Sequence, residues 1–142
     1  MCLVLGGTNN LAKTSSSAAP TGGLVPRKTK EVMRQFHAGV SRFLSEHPAT
    51  KLALSEILPC HCDSSSVPAF NWMERRVLAV NSEIAKLVDA YSVQMSLVPT
   101  YFQFLPKNLF RTRGDVSTDL HQNSDGVSLL HQIFCDFIRQ RL

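Results

Sequence analysis

Lys51-Leu52-Ala53-Leu54-Ser55-Glu56-Ile57-Leu58, halted by Pro59, is the stretch on which the fold turns. Leu52, Leu54, Ile57 and Leu58 give it apolar bulk, and a short apolar run closed by proline reads as a strand inside a sheet. A helix lies on either side. Upstream, Val32, Phe36, Val40, Phe43 and Leu44 share one face while Arg34, Arg42 and Glu46 fall elsewhere. His47-Pro48 ends that helix, because a residue before proline avoids the helical region. Downstream, Met73, Val77, Val80, Ile84, Leu87 and Tyr91 recur at helical spacing. Asn71 is the expected N-cap, and Glu74 completes a capping box.

Farther out, the pattern repeats. Cys2-Leu3-Val4-Leu5, closed by Gly6-Gly7, predicts a buried strand, and Val93 to Val98 predicts a third. A last helix is expected from Ser124, with Val127, Leu130, Phe134, Phe137 and Ile138 on its buried side. Residues 12–27 and 59–71 are polar or rich in small residues and read as surface loops. Strand and helix alternate three times, which predicts an α/β fold: a parallel sheet with helices on both faces, in three layers.

Composition narrows the function classes. The 142 residues suit a single domain, and 44% hydrophobic with 18% charged residues is globular composition. The net charge of +4 is scattered over Arg27, Lys28, Lys30, Arg75, Arg76, Arg111 and Arg113, which argues against a nucleic-acid surface. Met1 to Gly7 lacks a basic n-region, no apolar run is long enough for a membrane helix, and a cytoplasmic protein is expected. Cys60-His61-Cys62 is too closely spaced for a structural zinc pair, and no second ligand pair follows. No metal or other cofactor is expected.

Ligands of open parallel sheets bind beyond the carboxyl ends of the strands. Two segments could serve there. Gly6-Gly7-Thr8-Asn9-Asn10 follows the first strand; alone it reads as a turn, and it lacks the spacing of a dinucleotide loop. Thr118-Asp119-Leu120-His121 precedes the last helix, and an aspartate near a histidine can orient an imidazole acting as a general base.

Taken together, the segments resemble the SGNH/GDSL-type esterases. Gly7-Thr8-Asn9-Asn10 is similar to that family's Gly-x-Asn-Asp block, and His121-Gln122-Asn123-Ser124-Asp125-Gly126 resembles its closing His-Leu-Asn-x-x-Gly block. Between them, Ser55-Glu56-Ile57-Leu58-Pro59 resembles the family's strand-to-loop junction, and Val80-Asn81-Ser82-Glu83-Ile84 the helix that follows it. The resemblance spans nearly the whole chain in order. A more distant similarity is to the esterase-like domains of some retrotransposon-encoded proteins.

The resemblance implies a flavodoxin-like sheet and carboxylic ester hydrolysis by serine nucleophile, histidine base and oxyanion hole. It would make Asn9 the oxyanion-hole amide and His121 the base, the two facing each other at the carboxyl edge of the sheet. The family's acid falls at Thr118; Asp119 is one position late, Asp115 three early, and Asp119 is the candidate. The Gly-Asp-Ser block is absent, and Ser15, Ser16 and Ser17 lie in no such setting. The expectation is an N-terminally truncated, catalytically impaired domain whose ligand would be a small acyl ester. Its Cys2–Leu5 strand would be an edge lacking Lys, Pro or bulge, open to a protein partner. The alternatives are a non-catalytic α/β interaction module or pseudoenzyme, and a hydrolase using another nucleophile such as Cys62.

Overall fold

The computed structural model describes residues 1–4, 24–59, 67–105, 109 and 122–141. Strands β1 (Cys2–Val4), β2 (Leu52–Ser55) and β3 (Met95–Val98) form one parallel sheet in the order β1-β2-β3. The register runs from Cys2–Leu52–Met95 to Val4–Leu54–Leu97 without a slip. Helix α1 (Leu24–Glu46) joins β1 to β2, α2 (Val67–Ala90) joins β2 to β3, and α3 (Ser124–Arg139) follows β3.

Strand side chains alternate between faces, and the two faces build two cores. Cys2, Leu52, Leu54, Met95 and Leu97 meet Val40 and Leu44 of α1 and Val77, Val80, Ile84 and Leu87 of α2. Leu3, Ala53 and Val98 turn the other way, against Ile133, Phe134 and Phe137 of α3. Two crossover helices on one face of a sheet in sequential order is what crossovers of a single hand require. All four residues of β2 are buried, which explains why Leu52-Ala53-Leu54-Ser55 is nearly apolar on both faces. The expected three-layer α/β fold is therefore the one adopted.

Burial rather than surface charge holds the helices. The ion pairs Glu31–Arg34 and Arg42–Glu46 lie on the exposed side of α1, where water screens them and they add little to stability. The Val40 and Leu44 side chains, buried against the sheet, are worth roughly 1.5–3 kcal/mol each. Among the described residues, no helix is long and apolar enough to cross a membrane.

The boundaries differ from expectation for identifiable reasons. Helix α1 starts at Leu24, inside the expected 12–27 loop, and α2 starts at Val67, inside the expected 59–71 loop. Pro26 and Pro68 sit in their first turns, where the missing N–H needs no intrahelical partner. Asn71 is thus within α2 and is not its cap. Strand β2 stops at Ser55 instead of Leu58, because the backbone of Ile57 is bonded by a helix side chain described below. Strand β3 starts at Met95 instead of Val93, since Gln94 and Met95 donate to the Tyr91 carbonyl in the turn that ends α2. Val127, expected on the buried side of α3, is exposed; Leu129, Leu130 and Ile133 supply the packed side there.

Leu54 is buried between the α1–α2 layer and its neighbouring strands. Leu54→Ala should lower the unfolding free energy by about 2–5 kcal/mol. Val93→Ala, at an exposed turn, should change it by less than about 0.5 kcal/mol. Equal urea midpoints for the two variants would contradict this placement of the core.

Candidate functional site

The strands are parallel, so the chain leaves all three at one carboxyl edge. Asn9, Asp119 and His121 lie outside the described residues, as do Cys60, His61 and Cys62. The residues that build this edge from β2, β3, α2 and the start of α3 are described.

The exit from β2 is held from two directions. Asn81, buried on the inner side of α2, accepts from the Ile57 N–H at 2.8 Å and donates to the Ile57 carbonyl at 3.0 Å. A side-chain amide offers the same donor and acceptor as a peptide, so Asn81 replaces the neighbouring strand where β2 ends. One residue earlier, the Glu56 carboxylate accepts from the backbone N–H groups of Thr100 and Tyr101, both at 2.9 Å. The Glu56 carbonyl receives the Ser55 hydroxyl at 2.9 Å and the Thr100 hydroxyl at 3.0 Å. The loops after β2 and β3 are thereby tied to each other.

The loop after β3 continues into a 3-10 turn, Phe102–Phe104. Its two anchors, Tyr101 and Phe104, are both buried. Phe104 packs on Leu58, with Leu109, Leu129, Leu130 and Ile133 around them. The Tyr101 hydroxyl donates to Glu74 of α2 at 3.2 Å. Burial, and then the negative charge and hydrogen bond of Glu74, push this phenol up to about 12. Arg76 of α2 is only 1% exposed, and burial pushes its guanidinium below the usual arginine range.

The closing motif has a structural account at two of its positions. Asn123 is the N-cap of α3, its side chain accepting from the Gly126 N–H at 2.9 Å. The Asn123 N–H donates to the Leu109 carbonyl at 3.0 Å. A Cβ on residue 126 would lie 2.2 Å from that same carbonyl oxygen, so glycine is required by close approach of two backbones. Asn and Gly three residues apart thus fasten the head of α3 to the chain after β3, two residues beyond His121 in sequence.

Nucleophile–base pairs exist among the described residues, but helical spacing alone accounts for them. Ser41 lies 3.3 Å from His37 Nδ1 on α1, and Cys135 Sγ lies 3.5 Å from His131 Nε2 on α3. Both are i,i+4 pairs on exposed helix surfaces. Ser55 is buried and bonded to a carbonyl. No three His, Cys, Asp or Glu side chains are grouped to hold a metal among the described residues.

Sequence reading quoted Glu56 and Asn81 within motifs without seeing what they do; it took Glu74 for a capping-box residue and Arg76 for scattered surface charge, and it missed Tyr101. A signal for Asn81 was present: it interrupts an apolar helix face, and a polar group there must be satisfied by a specific partner.

No family model matches the chain, and no curated protein matches it. A solved structure does: the esterase domain of the ZfL2-1 ORF1 protein from the zebrafish ZfL2-1 retrotransposon. It superposes with a TM-score of 0.61 at 19% identity, over 78% of this chain and 63% of that one. The chain therefore spans under two-thirds of that domain, and at this identity the likeness is one of fold. The fold is esterase-like.

Two predictions follow from these bonds. Asn81→Ala strands two buried backbone groups and should destabilise by about 2–6 kcal/mol, given roughly 1–3 kcal/mol per unsatisfied group; a change below about 0.5 kcal/mol, read by urea denaturation, would contradict the clamp. Tyr101 gives an alkaline dependence. Its folded value lies above the ordinary value of 10, so between about pH 10 and pH 12 the unfolded chain binds fewer protons than the folded one. Stability is present below pH 10 and falls as pH rises through that window. Melting temperature should drop more steeply above pH 10 in the wild type than in Tyr101→Phe, and parallel profiles would contradict it.

Proposed function

We propose that the chain is an SGNH hydrolase-type esterase domain whose 142 residues alone are catalytically impaired. The observation that carries the reading is the shared fold with an esterase domain. The roles of Asn123 and Gly126 support it, since the motif resembling the family's closing block sits at the start of α3. In this reading Asn9 donates to the developing oxyanion, His121 is the general base, and Asp119 orients the imidazole.

The impairment follows from chemistry. Acyl transfer begins when a hydroxyl passes its proton to the base and attacks the carbonyl. The sequence contains no Gly-Asp-Ser block to present such a hydroxyl. What remains is the weaker route in which His121 activates a water and Asn9 stabilises the tetrahedral oxyanion.

A second reading rests on a different observation. Among the described residues, the outer side of β1 carries no strand, and Val4 at its end is exposed. In that reading the chain is a non-catalytic α/β module or pseudoenzyme whose β1 edge receives a strand from a protein partner.

Hydrolysis of nitrophenyl acetate by the purified chain should run little above buffer. Turnover far above buffer that vanishes in His121→Ala would overturn the impairment. Turnover that survives His121→Ala would overturn the proposed site. A strand followed by Gly-Asp-Ser in the transcript upstream of residue 1 would favour the esterase over the pure interaction module.

A further inference from the structure

Helix α3 carries a pair of donors that the carboxyl edge does not use. Cys135 Sγ lies 3.5 Å from His131 Nε2 and 4.0 Å from Nδ1. Spacing of four along a helix brings the two side chains together, on the side of α3 turned from the sheet. Phe137, two residues after Cys135, is buried with Ala53 and Val98, and at about 3.6 residues per turn Cys135 falls on the far side of the helix. His131 is exposed and Cys135 half-buried, so a solute can reach the pair. The nearest cation along this line, Arg139, is paired with Asp136 at 3.2 Å, which offsets the charge it would present to a metal ion.

A thiolate and a neutral imidazole are donors that zinc accepts readily. With Zn–S about 2.3 Å and Zn–N about 2.0–2.1 Å, a tetrahedral ion holds its sulfur and nitrogen donors about 3.5–3.6 Å apart. The Sγ–Nε2 separation of 3.5 Å matches that span, so one ion can take both donors without moving them apart. Two donors four residues apart on one helix face is also the arrangement in which paired histidines hold zinc in metalloproteases. On binding, the thiol proton leaves to water, the sulfur coordinates as thiolate, and the imidazole gives the Nε2 lone pair. Among the described residues no third His, Cys, Asp or Glu is grouped with the pair, so water completes the shell.

We propose that His131 and Cys135 form a two-donor surface site for a thiophilic divalent cation such as zinc, and that the bound ion clamps α3. The clamp follows from linkage. The donors keep their separation only while residues 131 to 135 are helical, so the ion binds the folded chain in preference to the unfolded one and stabilises it. The site owes nothing to the esterase reading and stands or falls separately from it.

Metal titration of the reduced chain tests it, with cobalt(II) as a coloured substitute for zinc. All measurements use a Cys60→Ser/Cys62→Ser background, which removes the other closely spaced thiols. One cobalt per chain should bind and show thiolate-to-cobalt absorption. Zinc at about ten times its measured dissociation constant should raise the melting temperature by about 3–6 °C. Cys135→Ser and His131→Ala should each lose both signals. Cys135→His, which returns a nitrogen donor at the same spacing, should recover the zinc-dependent rise without the thiolate absorption. The three variants change residues outside the core, and their melting without metal is checked first. Cobalt–thiolate absorption that survives Cys135→Ser would overturn the proposal, as would a zinc-dependent rise unchanged in His131→Ala or absent from the parent chain.

Discussion

A strand that ends inside a protein leaves backbone groups that must find partners, and the Asn81–Ile57 pairing meets that requirement for β2. The rest of the carboxyl edge depends on it. Because Ile57 is bonded by α2 and not by a neighbouring strand, the chain can turn at Glu56, and the Glu56 carboxylate is free to hold the loop after β3. That loop places Tyr101 against Glu74 of α2 and Phe104 against Leu58. Leu109 in turn receives the head of α3. Two loops and two helices are linked to one another through the Asn81 amide, the Glu56 and Glu74 carboxylates and the backbone of Leu109. The two Asn81–Ile57 bonds are buried, where a hydrogen bond is stronger than at the surface.

The same edge has a different composition from the rest of the sheet. The layers on both faces are held by aliphatic and aromatic packing, which tolerates variation in exact residue identity. The edge is held by groups with fixed geometry: an amide, a carboxylate, two hydroxyls and a glycine under a carbonyl. Such a framework fixes loop positions closely, which a site for chemistry requires.

The α/β class was legible in the sequence because it depends on period alone. Leu52 to Ser55 is apolar on both faces, and the Val77, Val80 and Ile84 spacing is helical, whatever the details of packing. Helix starts were less legible. Pro26 and Pro68 mark first turns, but the polar and small residues around them read as loop, and propensity outweighed position. The exposure of Val127 could not be read from periodicity, which does not say how far a helix overhangs the core it covers. At the candidate site, motif order located the start of α3 through Asn123 and Gly126. Glu56 and Tyr101 escaped notice because their partners are backbone groups or residues about 27 to 45 positions away in the chain, and no local pattern encodes such pairs.

The proposed esterase reading requires the segments carrying Asn9 and His121 to meet at the carboxyl edge that Asn81 and Glu56 organise. Spin labels at positions 9 and 121 test it directly, with position 93, in the exposed turn before β3 at the amino edge, as the reference. The account predicts that the 9–121 distance is short and narrowly distributed, and clearly smaller than the 93–121 distance. A 9–121 distance equal to or longer than the 93–121 distance, in a chain whose melting is unchanged by the labels, would place the two segments at opposite ends of the sheet and contradict the account.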